Sequence, residues 1–144
     1  MIRQATVGDI SALAIMLDTM HRETEIKVPK INTLKLINKI NELVHSGLVL
    51  VSIKDNKIQG SIAGQMCTDW WSEEKYIGDA WFYVFKNQRK TDVAKKLIQA
   101  YIKTAKDAKI KIRLGHIFSG DLERKDNFFK KLGFVKAGSI FVEA

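Results

Sequence analysis

The chain has 144 residues, of which 46% are hydrophobic and 28% are charged, and its net charge is +8. This length and composition are typical of one globular domain and exclude a disordered chain, while the single cysteine, Cys67, excludes an internal disulfide framework and a cysteine-based zinc site. No apolar run approaches the ~18 residues of a membrane span, and the N-terminus lacks a secretion-signal pattern, so we expect a soluble cytoplasmic protein.

Hydrophobic periodicity and turn signals predict secondary structure along the whole chain. The predicted strands cover residues 2–6, 48–54, 58–66, 78–85, 110–117 and 134–144. Four helices are predicted. The first begins after Asp9, and the other three cover about 33–45, 91–108 and 124–133. Asp55-Asn56-Lys57 joins the second and third strands into a β-hairpin. A strand–helix–strand unit follows, which predicts a parallel crossover beside the antiparallel strands.

The positive charge is concentrated in the second half of the chain. Residues 86–131 contain 14 Lys/Arg and 5 Asp/Glu. A surplus of this kind suits a polyanion, either a phosphorylated cofactor or a nucleic acid. Exposed helix faces that keep the protein in solution would give the same surplus, so charge alone leaves both interpretations open.

The turn between the fourth strand and the long helix is a candidate anion site. The segment reads "YVFKNQRKTDVAKKLI" from Tyr83 to Ile98. The first backbone N–H groups of a helix lack intrahelical acceptors, and the helix dipole favours negative charge at that end. Arg89 and Lys90 add positive charge just before the helix. We therefore expect this turn to hold a phosphate group.

With this segment and the later "FFKKLGF" (128–134), the chain resembles the GNAT superfamily of acyl-CoA-dependent N-acyltransferases over nearly its whole length. Arg89-x-x-Asp92-x-Ala94 is similar to the superfamily's Arg/Gln-x-x-Gly-x-Gly/Ala signature, and it follows an aromatic-Val pair, Tyr83-Val84. The resemblance implies one GNAT-like domain over residues 1–144. It implies an α/β (α+β) fold with a mixed central sheet of about six or seven strands, flanked by about four helices and splayed at strands four and five.

The resemblance also implies acetyl-CoA as cosubstrate. No metal is expected, because the three histidines are scattered and have no metal-ligand spacing. The pantetheine arm would lie along the strand that contains Val84, and the thioester would sit where two strands splay. By the same resemblance, the cofactor-binding residues are Val84, Phe85, Arg89, Lys90, Thr91, Asp92, Val93, Ala94 and Phe129.

Two residues depart from the superfamily pattern. Asp92 replaces a glycine, and its carboxylate would repel a phosphate, although it could equally serve as a first-turn carboxylate beside an N-cap at Thr91. Phe129 stands where the superfamily often has a tyrosine that protonates the leaving thiolate, and phenylalanine has no proton to donate. Tyr83 or a water would have to replace it.

The candidate general base is Asp79, because a carboxylate on strand four often serves in this superfamily. Asp79, Trp81 and Tyr83 are expected to share one face of the strand and to line an acceptor cleft. The other interpretation makes Asp79 a residue of a strand edge or turn. His116 ends an apolar strand face, which favours a buried structural histidine over a base.

Two functions remain open from the sequence. The first is an N-acetyltransferase that acetylates a primary amine (small molecule, peptide N-terminus or protein lysine) by direct attack in a ternary complex. The second is a catalytically inactive relative whose basic face binds a protein or nucleic acid. Asp92 and Phe129 favour this second function, whereas the retained spacing of Arg89 and Ala94 favours the first. Nucleic acid is the weaker partner because no recognition motif appears. A homodimer is plausible by resemblance, and no membrane partner is expected.

Overall fold

The fold of this chain is a mixed sheet with helices on both faces, and the computed structural model describes residues 1–115 and 121–143. Within them lie five strands, β1 (Ile2–Gln4), β2 (Leu48–Lys54), β3 (Lys57–Thr68), β4 (Lys75–Val84) and β5 (Lys111–Arg113). Four helices accompany them, α1 (Ile10–Arg22), α2 (Thr33–Ser46), α3 (Val93–Asp107) and α4 (Leu122–Lys131). Short 3₁₀ turns cover Val7–Asp9 and Lys86–Gln88.

The sheet follows the order of the chain, β1-β2-β3-β4-β5. The first four strands pair with one another in antiparallel fashion. Strand β4 pairs parallel with β5, and α3 connects the two strands. The hairpin between β2 and β3 turns at Asp55 and Asn56, which both have positive φ (52° and 60°). Asp and Asn tolerate this conformation better than other residues with a side chain, so the sequence signal and the observed turn have the same cause.

Each face of the sheet covers a separate part of the core. One face packs against α1 and α2 through residues that include Leu13, Met16 and Ile40, with Trp81 and Tyr83 from β4. The other face packs against α3, and the residues of this cluster include Ile62, Ile77, Leu97, Ile98 and Tyr101. Leu13, Met16, Leu97 and Ile98 are fully buried, as expected for the apolar stripes of two amphipathic helices.

The predicted six or seven strands are not confirmed, because the described residues form five. The final strand expected at 134–144 is absent from the described residues 134–143, and residue 144 lies outside them. Val135 and Phe141 in this segment are 90% and 92% exposed. Apolar and β-branched residues favour a strand only where a neighbouring strand pairs with them, and no described strand pairs with this segment. The observed β5 is Lys111–Arg113, shorter than the predicted 110–117, because Ile110, Leu114 and Gly115 lie outside the strand. Residues 116–117 lie outside the described residues.

Within the described ranges, no helix has the length and apolar character that a membrane crossing requires.

Candidate active site

The central feature of the site is the point where β4 and β5 separate. The two strands pair only from Tyr76 to Gly78 on β4, opposite Lys111 to Arg113 on β5. Beyond Gly78, β4 continues to Val84 with β3 on its other side. A cavity of about 720 Å³ lies along this open edge. Residues of both faces of β4 line the cavity, as expected for a groove at the edge of a strand.

A β-bulge lies in β4 just after the separation. Gly64 pairs with Asp79 and Ala63 pairs with Trp81, so Ala80 has no partner in the register. The bulge reverses the faces of the strand, because Ile77 packs with the α3 cluster and Trp81 packs with the α1–α2 cluster. The expectation that Asp79, Trp81 and Tyr83 share one face is therefore wrong. All three line the cavity nevertheless.

The backbone of β4 beyond the bulge directs polar groups into the open groove. Phe85 donates its N–H to the Gln59 carbonyl at 3.0 Å. Because bonded and non-bonded pairs alternate along antiparallel strands, Tyr83 directs its backbone groups to β3, whereas Val84 directs its own away from β3. The Val84 carbonyl agrees with this assignment, since it accepts a bond from the Arg89 side chain. The Val84 N–H therefore faces the cavity.

Asp79 lies at the fork between the strands. Its Oδ1 accepts a hydrogen bond from the backbone N–H of Gly115 at 3.1 Å, and both residues line the cavity. The carboxylate therefore connects β4 to the segment that follows β5 at the point where the strand pairing stops. This position places an acceptor group at the inner end of the groove.

A partly buried ion pair fixes the turn that follows β4. Arg89 donates from Nε to the Val84 carbonyl at 2.8 Å and from Nη2 to Glu23 Oε2 at 2.7 Å. Its guanidinium also lies over the Tyr83 ring, 5.2 Å from the centroid. Glu23 is the residue after α1, and its side chain is only 15% exposed. The turn is thus anchored to the end of α1, 66 residues earlier in the chain.

Tyr83 and Glu23 affect each other's protonation. Burial and the Glu23 carboxylate raise the pKa of Tyr83 to about 12, so its hydroxyl is protonated at neutral pH. Burial alone would raise the pKa of Glu23. The hydrogen bond from Arg89, with further contributions from Tyr83 and the charge of Lys86, outweighs burial and lowers that pKa below its usual range. Glu23 is therefore a carboxylate at neutral pH.

The start of α3 has backbone donors available for a ligand. The Val93 N–H lies 3.3 Å from Thr91 Oγ1, and the Thr91 hydroxyl donates to the Gln88 carbonyl at 2.5 Å. Within the described chain, no side-chain hydrogen bond from Asp92 caps the helix. The N–H groups of Ala94 and Lys95 have no acceptor within the part of the chain that the structure describes.

The Asp92 carboxylate is turned away from the helix start. Its Oδ2 lies 3.1 Å from Lys96 Nζ, one helical turn later, and both side chains are more than 60% exposed. The N-cap position is Asp92 and not Thr91 as expected, because α3 begins at Val93. Thr91 still contacts the first helical N–H group from one residue further back, while Asp92 forms a surface ion pair. The carboxylate does not block the N–H groups of Ala94 and Lys95.

Helix α4 forms the opposite wall of the groove. The Phe129 and Phe128 rings pack against the Phe82 ring of β4, with centroids 6.4 Å and 6.2 Å apart. Phe129 lines the cavity, as do Arg124 and Lys125 from the preceding turn. The groove therefore lies between β4 and the start of α3 on one side and α4 on the other.

The comparison with family models decides the family. The model described as "Acetyltransferase (GNAT) family" matches residues 15–134. The chain belongs to the GNAT acetyltransferase family. The separated strands β4 and β5, the turn before α3 and helix α4 all lie within the matched residues.

Solved structures with the GNAT fold superpose on the whole chain. A predicted acetyltransferase from Clostridium acetobutylicum, crystallised with acetyl-CoA, has a TM-score of 0.79 at 19% identity. The match covers 100% of this chain and 95% of the chain of that acetyltransferase. A ribosomal-protein-alanine N-acetyltransferase from Brucella melitensis biovar Abortus 2308 has a TM-score of 0.73 at 14% identity (100% and 99% covered). AAC(6')-Iy with a bisubstrate analogue, CoA-S-monomethyl-acetylneamine, has a TM-score of 0.77 at 13% identity (100% and 96% covered).

These likenesses establish the fold and do not by themselves assign a substrate. A comparison with curated proteins finds no match. Neither the family model nor these solved structures support the alternative of an inactive GNAT relative that binds a protein or nucleic acid. Among residues 1–115 and 121–143, no group of three or more His, Cys, Asp or Glu side chains is placed to hold a metal ion.

The structure brings most of the sequence-predicted site residues of this GNAT chain into one cavity. Those that line it are Asp79, Tyr83, Val84, Arg89, Thr91, Ala94 and Phe129. Phe85, Lys90, Asp92 and Val93 do not line it. Phe85 packs edge-on against Tyr83, Val93 is buried beneath the first turn of α3, and Lys90 and Asp92 are exposed. His116 lies outside the described residues.

Sequence reasoning missed Glu23, Arg124 and Lys125. No sequence signal connects Glu23 to Arg89, because their contact depends on the packing of α1 against the sheet. Lys125 could have been found, since it precedes Phe129 by four residues and the two must share a helix face. Arg124 precedes Phe128 by the same four residues, so these two also lie on one side of the helix.

Proposed function

We propose that this protein transfers the acetyl group of acetyl-CoA to a primary amine, by direct attack of the amine in a ternary complex. The observation that carries the proposal is the open edge of β4, where the strand separates from β5 and the Val84 N–H faces a cavity of about 720 Å³. An extended thioester arm has the shape and the amide groups to occupy such an edge as an added strand.

The Val84 N–H is the group that we assign to the thioester carbonyl. A backbone donor fixed in a sheet needs no reorganisation when negative charge develops on the carbonyl oxygen. Arg89 supports the donor indirectly, since its bond to the Val84 carbonyl holds the same residue in place. The acetyl group would then lie next to the bulge, with Asp79 on one side and Trp81 on the other.

Asp79 is the proposed general base. An ammonium must lose a proton before its nitrogen can attack, and a carboxylate at the inner end of the groove can accept that proton directly or through a water. The bond from Gly115 N–H holds the Asp79 side chain in a fixed orientation. In the transfer, the ammonium first gives one proton to Asp79, which passes it to solvent. The nitrogen–carbon bond then forms, the carbon–sulfur bond breaks, and the second proton lost from nitrogen passes through water to the departing thiolate.

The leaving thiolate can depart without a strong acid. A thiol with a pKa near 8.5 is a tolerable leaving group at neutral pH. Phe129 stands where the superfamily often has a proton-donating tyrosine. We propose that Tyr83 or a water protonates the thiolate instead. Tyr83 is a weaker acid than an ordinary tyrosine, because burial and the Glu23 carboxylate raise its pKa to about 12.

We assign the diphosphate of acetyl-CoA to the start of α3. The Ala94 and Lys95 N–H groups have no acceptor within the described residues, and Thr91, Ala94 and Lys95 line the cavity. Anions bind at helix N-termini because the N–H groups and the dipole act together. Arg89 and Lys90 precede the helix and add positive charge.

The test is an acetylation assay with three kinds of primary amine: an aminoglycoside, a peptide with a free N-terminus, and an N-terminally blocked peptide that contains lysine. Free thiol release from acetyl-CoA and the mass of each amine are followed together. The proposal predicts that at least one amine gains an acetyl group and releases an equal amount of CoA thiol. Its fully N-acetylated form is the matched control and should release none. No acetylated product from any of the three kinds would contradict the proposal.

A further inference from the structure

Helix α4 places two cations on the groove opposite the start of α3. Arg124 and Lys125 line the same cavity as Thr91 and Ala94. Lys125 is partly buried, whereas Lys130 on the same helix is exposed and does not line the cavity. The two lysines are five residues apart, so they project from different faces of α4. The helix therefore separates a cavity-facing cation from a solvent-facing one.

Lys125 shares the cavity with a second cation, Arg89. Burial lowers the pKa of the Lys125 ammonium, the positive charge of Arg89 lowers it further, and Asp121 and Glu25 act in the opposite direction. Two like charges in a partly dehydrated groove repel each other. An anion beside Lys125 offsets this repulsion, so the α4 side of the cavity is a favourable position for a phosphate.

The α3 side of the groove has less positive charge than the motif suggests. Arg89 is committed to Glu23 and to the Val84 carbonyl. Asp92 adds a negative charge one residue before the helix. Across the whole cavity, however, four cations face two carboxylates, and the lining charges are Arg89, Lys95, Arg124 and Lys125 against Asp79 and Asp121. The balance of positive charge thus comes from α4.

We propose that Lys125, with Arg124 beside it, binds the diphosphate of acetyl-CoA from the α4 side of the groove. The diphosphate is then held between the N–H groups that begin α3 and the cations of α4. The α4 cations compensate for the negative charge that Asp92 adds where the superfamily has a glycine. This inference rests on the proposed function, because it assumes that acetyl-CoA occupies the groove.

The experiment compares two thioesters that differ in their phosphates. Dissociation constants of acetyl-CoA and of S-acetylpantetheine, which has no phosphate, are measured by calorimetry for the unaltered protein and for Lys125→Gln, Lys125→Arg and Lys130→Gln. We expect Lys125→Gln to weaken acetyl-CoA binding about tenfold, the size of one lost charge-assisted contact. Lys125→Arg should keep most of the affinity, and Lys130→Gln should change it less than about twofold. S-acetylpantetheine should bind equally to all four proteins.

The outcomes separate this inference from the proposed function. If Lys125→Gln binds acetyl-CoA as tightly as the unaltered protein, or loses affinity equally for both thioesters, Lys125 is not a phosphate ligand and the inference fails while the groove remains a thioester site. If the unaltered protein binds neither thioester, both the inference and the proposed function fail. Circular dichroism of each variant shows whether a loss reflects unfolding, and Lys125→Arg provides a folded variant if Lys125→Gln does not fold.

Discussion

Arg89 and Glu23 form an ion pair of 2.7 Å that ties the turn before α3 to the end of α1. Both side chains are less than one third exposed, and Arg89 also donates to the Val84 carbonyl. The residue at the start of the GNAT signature therefore works as a clamp for the turn and for the end of β4. The position of the Val84 N–H depends on this clamp, and so does the position of the N–H groups of α3.

Replacing the carboxylate of this pair should weaken both the fold and the site. Glu23→Gln keeps the size of the side chain and removes its charge, so Arg89 loses its ionic partner. We expect a loss of roughly 1.5–3 kcal/mol in the free energy of unfolding, the range for hydrogen bonds to charged groups. Acetyl-CoA affinity should fall with it. Urea unfolding and calorimetry measure the two effects, and Glu42→Gln is the control, since the Glu42–Lys39 pair is exposed and Glu42 does not line the cavity. An unchanged free energy of unfolding would show that the Arg89–Glu23 ion pair does not stabilise the fold.

Asp92→Gly should tighten acetyl-CoA binding. The carboxylate pairs with Lys96 and does not cap α3, yet it still places a negative charge beside the proposed diphosphate position. Solvent screens an exposed charge, so we expect a gain of about three- to tenfold in affinity. Asp92→Asn is the matched variant, because it removes the charge and keeps the side chain. If neither variant binds more tightly, electrostatic repulsion by Asp92 is the wrong explanation of its effect on the site.

Asp79→Asn tests the general base. Asparagine can still accept the bond from Gly115 N–H through its carbonyl oxygen, so the fork between β4 and β5 should keep its geometry. We expect kcat to fall by roughly a hundredfold, which is the lower end of general base contributions. The rise of rate with pH should also become flatter. A variant with the same pH–rate profile as the unaltered protein would remove Asp79 from this role.

Asp9 connects stability to pH. Two hydrogen bonds from Arg3, at 2.7 Å and 3.0 Å, and one from the Thr6 N–H lower the pKa of the Asp9 carboxyl against the opposing effect of burial. Because the pKa in the folded state lies below the unfolded value of ~3.9, the stabilisation is present above that pH and is lost as the pH falls through the folded value.

We therefore expect Asp9→Asn to cost roughly 1–3 kcal/mol at neutral pH and to unfold with a shallower pH dependence below pH ~4. Urea unfolding at a series of pH values measures this difference. Asp18→Asn is the control, since the Asp18–Arg22 pair is exposed and should contribute little. Equal slopes for Asp9→Asn and the unaltered protein would contradict the assignment.

Local signals in the sequence predicted the elements that local interactions form. The hairpin at Asp55–Asn56, the apolar stripes of α1 and α3, and the crossover between β4 and β5 all appear where the pattern placed them. The segment 134–143 shows the limit of such signals. Its apolar and β-branched residues have strand character, but strand formation needs a neighbouring strand that these residues do not specify.

The site was predictable to the same extent. The motif placed Val84, Thr91 and Ala94 at the groove because their positions follow from a strand, a turn and a helix in sequence. The partners of Arg89 and Asp92 could not be predicted, because side chains of opposite charge choose among several neighbours only after packing. The bulge at Ala80 could not be predicted from the sequence either. Because of this bulge, Asp79 and Trp81 lie on opposite faces of β4.

The most direct test of the central claim, that the groove beside β4 binds acetyl-CoA, is the melting temperature of the protein with and without this ligand. Ligand at 100 times its dissociation constant adds ~2.7 kcal/mol to stability, which raises the melting temperature of a domain of this size by roughly 8 °C. We predict a rise of this size that is smaller for Lys125→Gln at the same ligand concentration. An unchanged melting temperature at millimolar acetyl-CoA would contradict the claim.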